Sequence, residues 1–529
     1  MNRRLPLLLL MSLAVVSRAL GADTPAAHFA VWEFRVLGNS VLAPVDVERA
    51  VYPFTGADKT FADVEHAREA LEAAYRAHDF GTVFVDIPEQ DVSDGIVRLN
   101  VTEGKLRVAH MEGARYFSQN KLLAAIPSAQ PGSVPKLGQL QKEIADVNAQ
   151  SADRSVVPVL KAGPVPGTVD LALKVDDHLP FHGSVELNNQ YTVGTTRLRA
   201  NVALEYSNLF NELDDLSMQY QSSPQNRSQV GVYVVSYTTR PFDGGIKASL
   251  VYVHSSSDVP TVGALGVLGK GDIISGRLTF PVAYNAQTTQ SLFVGADYKD
   301  FQEVIVVDPK TSSSTPIPYL NFTAGFTGAW REPARNWFLT SSVNLGARNV
   351  VNDAAKFENK RYLASPSYLY VREDASVVQT LPGNFSGKLR LTGQYTLDPL
   401  ITNENFAISG ADGVRGFLES EVLGDSALKG TLQVDTPAWQ PASWFGGKLF
   451  VFYDAGAMHA IDALSGQPSH VMLKSTGAGF ELLGGPYLTG SLTYARALSN
   501  GSWFTDNGQQ YLNTRSGESR LLFVVRGAF

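Results

Sequence analysis

Side chains able to break bonds are dispersed along the chain. There is no cysteine, which excludes disulfide scaffolds, thiolate metal sites, cysteine nucleophiles and iron–sulfur clusters. The nine histidines (His28, His66, His78, His110, His178, His182, His254, His459 and His470) are scattered. None forms a His-Glu-x-x-His set, the spacing that turns two imidazoles toward one metal. His178 and His182 read as linker residues rather than ligands. The stretch Gly266-x-x-Gly269-Lys270-Gly271 lacks the spacing and the Ser/Thr of a phosphate loop, and no Gly-x-Ser-x-Gly elbow occurs. No enzyme activity, cofactor or metal is expected. What stands out is ionic: Arg415 within Gly410-Ala411-Asp412-Gly413-Val414-Arg415-Gly416-Phe417, and Asp454 within Phe452-Tyr453-Asp454-Ala455-Gly456. On a strand, Leu449, Val451, Tyr453 and Ala455 make one apolar face, which turns Phe450, Phe452, Asp454 and Gly456 to the other.

The elements that must position these residues follow from composition and periodicity. The chain has 529 residues, with 18% charged and a mean hydropathy of -0.06. Met1–Ala22 carries three arginines and no acid, so 44 basic residues against 51 acidic become 41 − 51 = −10 beyond it. That balance argues against nucleic acid, which needs a basic footprint. Arg3 and Arg4 precede an apolar run from Leu5 to Val16, followed by the small residues Ser17, Ala19, Gly21 and Ala22. This is the pattern of an export signal, 1–22. No later stretch is long and apolar enough for a transmembrane helix.

Two small α+β modules, each β-α-α-β-β, are expected at 30–104 and 105–178. In the first, Val31–Val36 reads as a strand, and Val45–Val51 and Phe61–His78 read as helices. Val64, Ala67, Leu71, Ala74 and Tyr75 share one face of the longer helix. Gly81 is placed to end it in the left-handed conformation. Val83–Pro88 and Ile96–Val101 flank the turn Ser93-Asp94-Gly95. In the second module the pattern gives strand Leu106–Met111, helices Ser118–Ala125 and Leu137–Ala149, and strands Ser155–Ala162 and Thr168–Val175.

From residue 179 to 529 the helical signal vanishes and alternating runs of about 10 residues recur between turns, the signature of transmembrane β-strands. Val202, Leu204 and Tyr206 alternate with Asn201 and Glu205, Phe322, Ala324 and Phe326 with Asn321 and Thr323, and Leu389 and Leu391 with Lys388 and Arg390. In lipid an unclosed sheet cannot satisfy its edges, so these strands must form a closed antiparallel barrel. About 16 segments are expected, beginning near residues 181, 195, 214, 228, 246, 271, 288, 317, 336, 366, 385, 427, 447, 472, 487 and 519. In the last, Leu521, Phe523, Val525 and the terminal Phe529 share the lipid face and Arg526 faces inward.

Several motifs carry a family resemblance. Val36–Asn39, Tyr75 to Gly81, Pro88-Glu89-Gln90, Asp94-Gly95 and Val101-Thr102-Glu103-Gly104 resemble the first POTRA module of TpsB-type two-partner secretion transporters (the ShlB/FhaC/HecB family, in the superfamily shared with BamA). Asn148, Arg154, Val156, Pro158, Leu160 and Gly163 resemble that family's second POTRA module. Val414-Arg415-Gly416-Phe417 resembles the tip of the superfamily's lid loop, here about 397–426, and Phe452, Asp454 and Gly456 its barrel-wall motif. A buried carboxylate wants a partner, and arginine offers bidentate geometry. The resemblance therefore implies an Arg415–Asp454 pair holding the loop inside the pore. The alternative is that Arg415 is a solvated loop charge and Asp454 a generic lumen acid. The terminal aromatic, with Phe523 and Val525, resembles the signal by which the barrel assembly machinery recognises outer-membrane barrels.

The resemblance implies an outer-membrane protein transporter with periplasmic POTRA modules, embedded in outer-membrane lipid of a Gram-negative bacterium. It would take a large secreted exoprotein, bearing an N-terminal secretion domain, through the barrel to the cell surface. A barrel-assembly insertase is the runner-up, and a diffusion porin comes third. One departure is that Ala22–His28 contains Pro25 and has no amphipathic pattern, so the plug helix often carried by the family is not expected.

Overall fold

In the N-terminal part, each strand and helix hides one apolar face against its neighbours. In the computed structural model, residues 27–529 are described except 257–268, 286, 303, 309–310, 443, 466 and 507–508. The expected export signal lies outside them, as do residues 22–26 of the segment before the first strand. One compact unit ends at His178 and another spans Leu179–Phe529.

The first unit contains both modules. The run expected as one strand breaks at Trp32. β1 (Phe29–Val31) pairs with β3 (Gly56–Lys59), while β2 (Glu33–Leu37) runs parallel to β5 (Ile96–Glu103), which also holds β4 (Val83–Asp86) antiparallel. The break comes where the Trp32 and Glu33 amides both donate to the Gly95 carbonyl, at 2.7 and 3.2 Å, which draws the chain toward β5. Two helices cover the sheet, α1 (Pro44–Val51) and α2 (Phe61–Ala77). The expected stripe on α2 is its buried face, with Val64, Ala67, Leu71 and Tyr75 in the core and Ala74 beside it. At its start the Thr60 amide and hydroxyl both donate to Asp63, at 2.8 Å each, and these bonds hold the Asp63 carboxyl below its usual value. The Tyr75 hydroxyl donates to Asn39 at 2.7 Å, and burial pushes its pKa up.

The left-handed residue after α2 is Asp79 (φ 74°), not Gly81. The carboxylate of Asp79 accepts the Gly138 amide at 2.8 Å and its carbonyl accepts that of Leu137 at 3.0 Å, so it caps the first turn of α4 (Leu137–Ala149) in the second module. Gly81 is small for another reason: a Cβ there would lie 2.6 Å from the Leu137 side chain. The second module repeats the plan, with β6 (Lys105–Glu112), α3 (Gln119–Ala124), α4, β7 (Arg154–Ala162) and β8 (Thr168–Asp177) in sheet order β6-β8-β7.

The second unit is a closed antiparallel barrel of sixteen strands, from Phe181–Asn188 to Ser519–Ala528. The expected segment near 366 is the strand Leu369–Thr380. Leu449, Val451 and Tyr453 lie on the outside, while Phe450, Phe452 and Asp454 are buried within. Closure pairs Val524 through Ala528 with Asn188 through Ser184. Phe529 completes the seam: its amide donates to the Gly183 carbonyl at 2.9 Å, and its ring lies 6.0 Å from that of Phe181. Val525 and Phe529 are exposed on the outer face, and Arg526 lines a lumen cavity.

Short turns such as 210–213 and 333–334 lie at the end of the barrel shared by Phe181 and Phe529, while connections such as 347–368 and 397–425 lie at the other. That outer end has an apolar plug the sequence does not announce. Phe357 of α5 (Ala354–Lys360), Tyr368, Leu400 and Ile401 pack there with Tyr319 and Tyr370 of the wall.

Candidate functional site

The connection from Thr396 to Ser426 turns back into the barrel instead of projecting from it. Its tip is a tight turn in which Gly413 donates to Gly410 O at 3.0 Å and Val414 to Ile408 O at 2.8 Å. Val414 and Phe417 pack with Ile408, Val422, Met458 and Leu473. This apolar contact aims Arg415 at the wall. Its Nε lies 2.8 Å from Asp454 Oδ2 and its Nη2 2.9 Å from Oδ1, while its own amide donates to Oδ2 at 3.1 Å. The remaining guanidinium nitrogen donates to Gln433 at 3.1 Å, and the guanidinium carbon lies 3.3 Å from the centre of the Phe452 ring. Asp454 is fully buried, and Ser475 also reaches it at 3.4 Å. A buried carboxylate answered by a two-pronged cation and a backbone amide is the satisfied form of an otherwise costly group.

The glycines of both motifs make the approach possible. Gly416 adopts φ 96°, where side chains other than glycine are strained. A Cβ on Gly456 would lie 3.0 Å from Val414. Arg520 of the last strand donates to Gly416 O at 3.0 Å and to Tyr191 at 3.0 Å, tying the tip to the closing seam. Phe523, Val525 and Phe529 lie in that last strand and at its end, apart from the loop contacts.

Two further anchors hold the root of the loop. Glu404, almost wholly buried, accepts Lys299 Nζ at 2.5 Å, the Tyr319 hydroxyl at 2.5 Å and the Tyr370 hydroxyl at 2.7 Å. Asp425, fully buried, is gripped by both terminal nitrogens of Arg361 and accepts the amides of Leu400 at 2.9 Å and Ile461 at 2.7 Å. Sequence reading missed both. Nothing local marks them out, since they are two of six acids in the loop (Asp398, Glu404, Asp412, Glu419, Glu421 and Asp425), and their partners come from distant strands and loops. Beneath the loop a cavity of about 450 Å3 is lined by Arg277, Arg372, Arg390 and Lys429, with Asp374 and Asp412. Among the described residues no group of three or more His, Asp or Glu is placed to hold a metal ion.

Comparison with known proteins places this architecture. The family described as POTRA domain, ShlB-type, matches residues 29–104. The family of haemolysin secretion/activation proteins ShlB/FhaC/HecB matches residues 167–482, more than half of the chain. The chain belongs to this family. It is therefore an outer-membrane secretion protein of the two-partner type, serving a partner exoprotein, with its POTRA structure in the periplasm. The transporter is 20% identical over 480 residues to the heme/hemopexin transporter protein HuxB of Haemophilus influenzae, covering 87% of this chain and 82% of that one. It is 23% identical over 390 residues to the outer membrane transporter CdiB of Dickeya dadantii, covering 67% and 62% respectively. Among solved structures, CdiB from Escherichia coli superposes with a TM-score of 0.60 at 17% identity, covering 97% of this chain and 93% of that one. BamA from Haemophilus ducreyi lacking POTRA domains 1-3 gives a TM-score of 0.57 at 14% identity, covering 95% and 100%. These two likenesses concern the fold.

Proposed function

We propose that the transporter captures an unfolded exoprotein by adding extended segments of it to a sheet edge of its POTRA modules, and that the cargo crosses through the barrel lumen. The observation that carries this reading is the loop folded into the bore, with Arg415 clasped to a fully buried Asp454. A loop pinned this way closes the bore at rest and must release its tip for a chain to pass. We assign residues 30–104 and 105–178 to two POTRA modules, 179–529 to the barrel, 397–426 to the lid loop and 1–22 to a cleaved export signal. The cargo is recognised through an N-terminal secretion domain, and Phe523, Val525 and Phe529 serve the barrel assembly machinery during insertion. No catalytic step belongs to this chain. Folding of the cargo outside the cell biases the motion, since the periplasm supplies no ATP.

The test compares secreted and outer-membrane proteomes with the gene deleted and then restored. The expected result is loss of one large exoprotein with other barrels unchanged. Broad loss of barrels would instead assign the chain to barrel assembly, and loss of small-solute uptake alone would make it a porin.

A further inference from the structure

Strand addition needs backbone donors and acceptors that face outward with nothing bound to them. The edges of the two modules differ sharply in this respect. On β4 both outward amides are taken: Val83 donates to Phe80 O at 3.4 Å, and Val85 to the Glu72 carboxylate of α2 at 3.1 Å. Glu72 is itself held by Arg68 at 3.0 Å. On β7 a side-chain amide stands where a neighbouring strand would. Asn148 accepts the Val156 amide at 2.8 Å and donates to the Val156 carbonyl at 3.0 Å. Two residues further along the same edge, Pro158 has no N–H to offer. On β6 both the amide and the carbonyl of Leu106 are occupied, by Ser133 O at 2.7 Å and the Gly132 amide at 2.6 Å, and the strand bulges before Val108. Bulges and prolines are the usual means of closing an edge. The β1–β3 ribbon is short and its register shifts between Phe29 and Val31.

β2 has none of these devices. Its register with β5 is unbroken from Glu33 opposite Ile96 to Leu37 opposite Asn100. The Glu33 amide points inward to Gly95, so alternation turns the amides of Phe34 and Val36 outward. Among the described residues nothing is hydrogen-bonded to those amides. The Phe34 and Val36 side chains pack against the apolar core of the module, while Glu33, Arg35 and Leu37 are exposed. An adding chain thus finds free backbone at two positions beside an apolar margin.

We propose that β2, Glu33–Leu37, is the edge on which an extended segment of the exoprotein adds as a fourth strand, while β4 and β7 are closed edges. This rests on the capture role proposed above. The occupant follows from the family, whose members serve a partner exoprotein, and from the chemistry. A pair of outward amides reads backbone rather than sequence, as suits an unfolded chain.

Because the chain lacks cysteine, Arg35→Cys, Phe84→Cys and Val157→Cys each give a single attachment point for a photo-crosslinker, on β2, β4 and β7. In the full-length transporter, in cells secreting the exoprotein, the expected result is exoprotein adducts at position 35. Yields at 84 and 157 should be lower by at least about tenfold, the ratio set by 1.4 kcal/mol of binding. Adducts at 84 or 157 in place of 35, or adducts from 35 to the transporter itself, overturn the edge assignment but leave capture by the modules standing. No exoprotein adduct at any position during continued secretion overturns the capture role as well. Val36→Pro, which removes one outward donor, should reduce secretion by a similar factor at an unchanged level in the membrane, whereas Glu72→Ala should secrete normally. Normal secretion by Val36→Pro overturns the proposal.

Discussion

In the periplasmic unit the fully buried side chains include Leu71, Leu99 and Tyr75, whereas in the barrel they include Asp425, Asp454 and, almost completely, Glu404. Many of the barrel's leucines and valines, such as Leu449 and Val451, stand outside, while others, such as Leu400, Val414 and Leu473, pack in apolar clusters inside. Each unit hides what its surroundings reject. Water surrounds the modules, and burying one leucine contributes roughly 1.5–3 kcal/mol there. Lipid surrounds the barrel and receives many of its apolar side chains, which leaves room in the interior for charged groups. Those groups, each satisfied by several partners, hold a loop in a defined place. The modules owe their stability to packing, whereas the barrel's interior adds to its apolar clusters buried ion pairs that position the loop.

The sharpest way to break this contrast is to unpair the lumen. Arg415→Ala or Asp454→Ala removes one member of a buried ion pair, at a cost of roughly 3–5 kcal/mol. We expect near-complete loss of secretion with the barrel still inserted, measured as exoprotein in the medium against transporter in outer-membrane fractions. Normal secretion by both variants would deny the pair its role in holding the lid. In the module core, Leu71→Ala leaves a cavity and is expected to destabilise the first module by about 2–5 kcal/mol. Protease should then cleave residues 30–104 faster while the barrel keeps its heat-resistant electrophoretic mobility. A barrel that also loses that mobility would show that the two units are not independent.

Smaller effects refine the comparison. Glu404→Gln keeps the shape of the root anchor but loses the charged partner of Lys299. A charge-assisted bond contributes about 1.5–3 kcal/mol, so the barrel should lose heat-resistant mobility at a lower temperature while secretion persists. The weakest effect should come from Asp63, which is only half-buried. Its folded-state pKa is depressed by the Thr60 bonds, so its contribution is present above the unfolded value and lost as pH falls through the folded one. Hydrogen exchange in the first turn of α2 should be faster in Asp63→Ala at neutral pH. The difference should vanish as the pH drops below the ordinary carboxylate value of 3.8.

Much of this was legible in the residues. Alternation located the barrel strands, since every second side chain meets lipid, and the α2 stripe fell at helical spacing. The Arg415 and Asp454 motifs could be read because each is a short contiguous string, and their flanking glycines announced a close approach. Other features escaped because their cause is not local. Gly81 suggested a left-handed helix end, yet Asp79 takes that conformation, because its carboxylate must reach the start of a helix some 60 residues on. The break at Trp32 depends on a carbonyl at Gly95. Glu404 and Asp425 looked like ordinary loop acids, and only the folded chain brings Lys299, Tyr319, Tyr370 and Arg361 to them.

By itself, then, the sequence determined what each element exposes and what it hides, because a strand of period two or a helix of period 3.6 sorts its side chains between two environments within a few residues. It thereby determined a sheet that must close in lipid, two modules that must pack in water, and a lumen-facing acid at Asp454. The tertiary structure decided which lumen positions meet the returning loop, and which sheet edges are capped by Glu72 and Asn148 and which is left open at β2. Those outcomes depend on the summed geometry of strands far apart in the chain, where one residue of register moves a side chain to the opposite face.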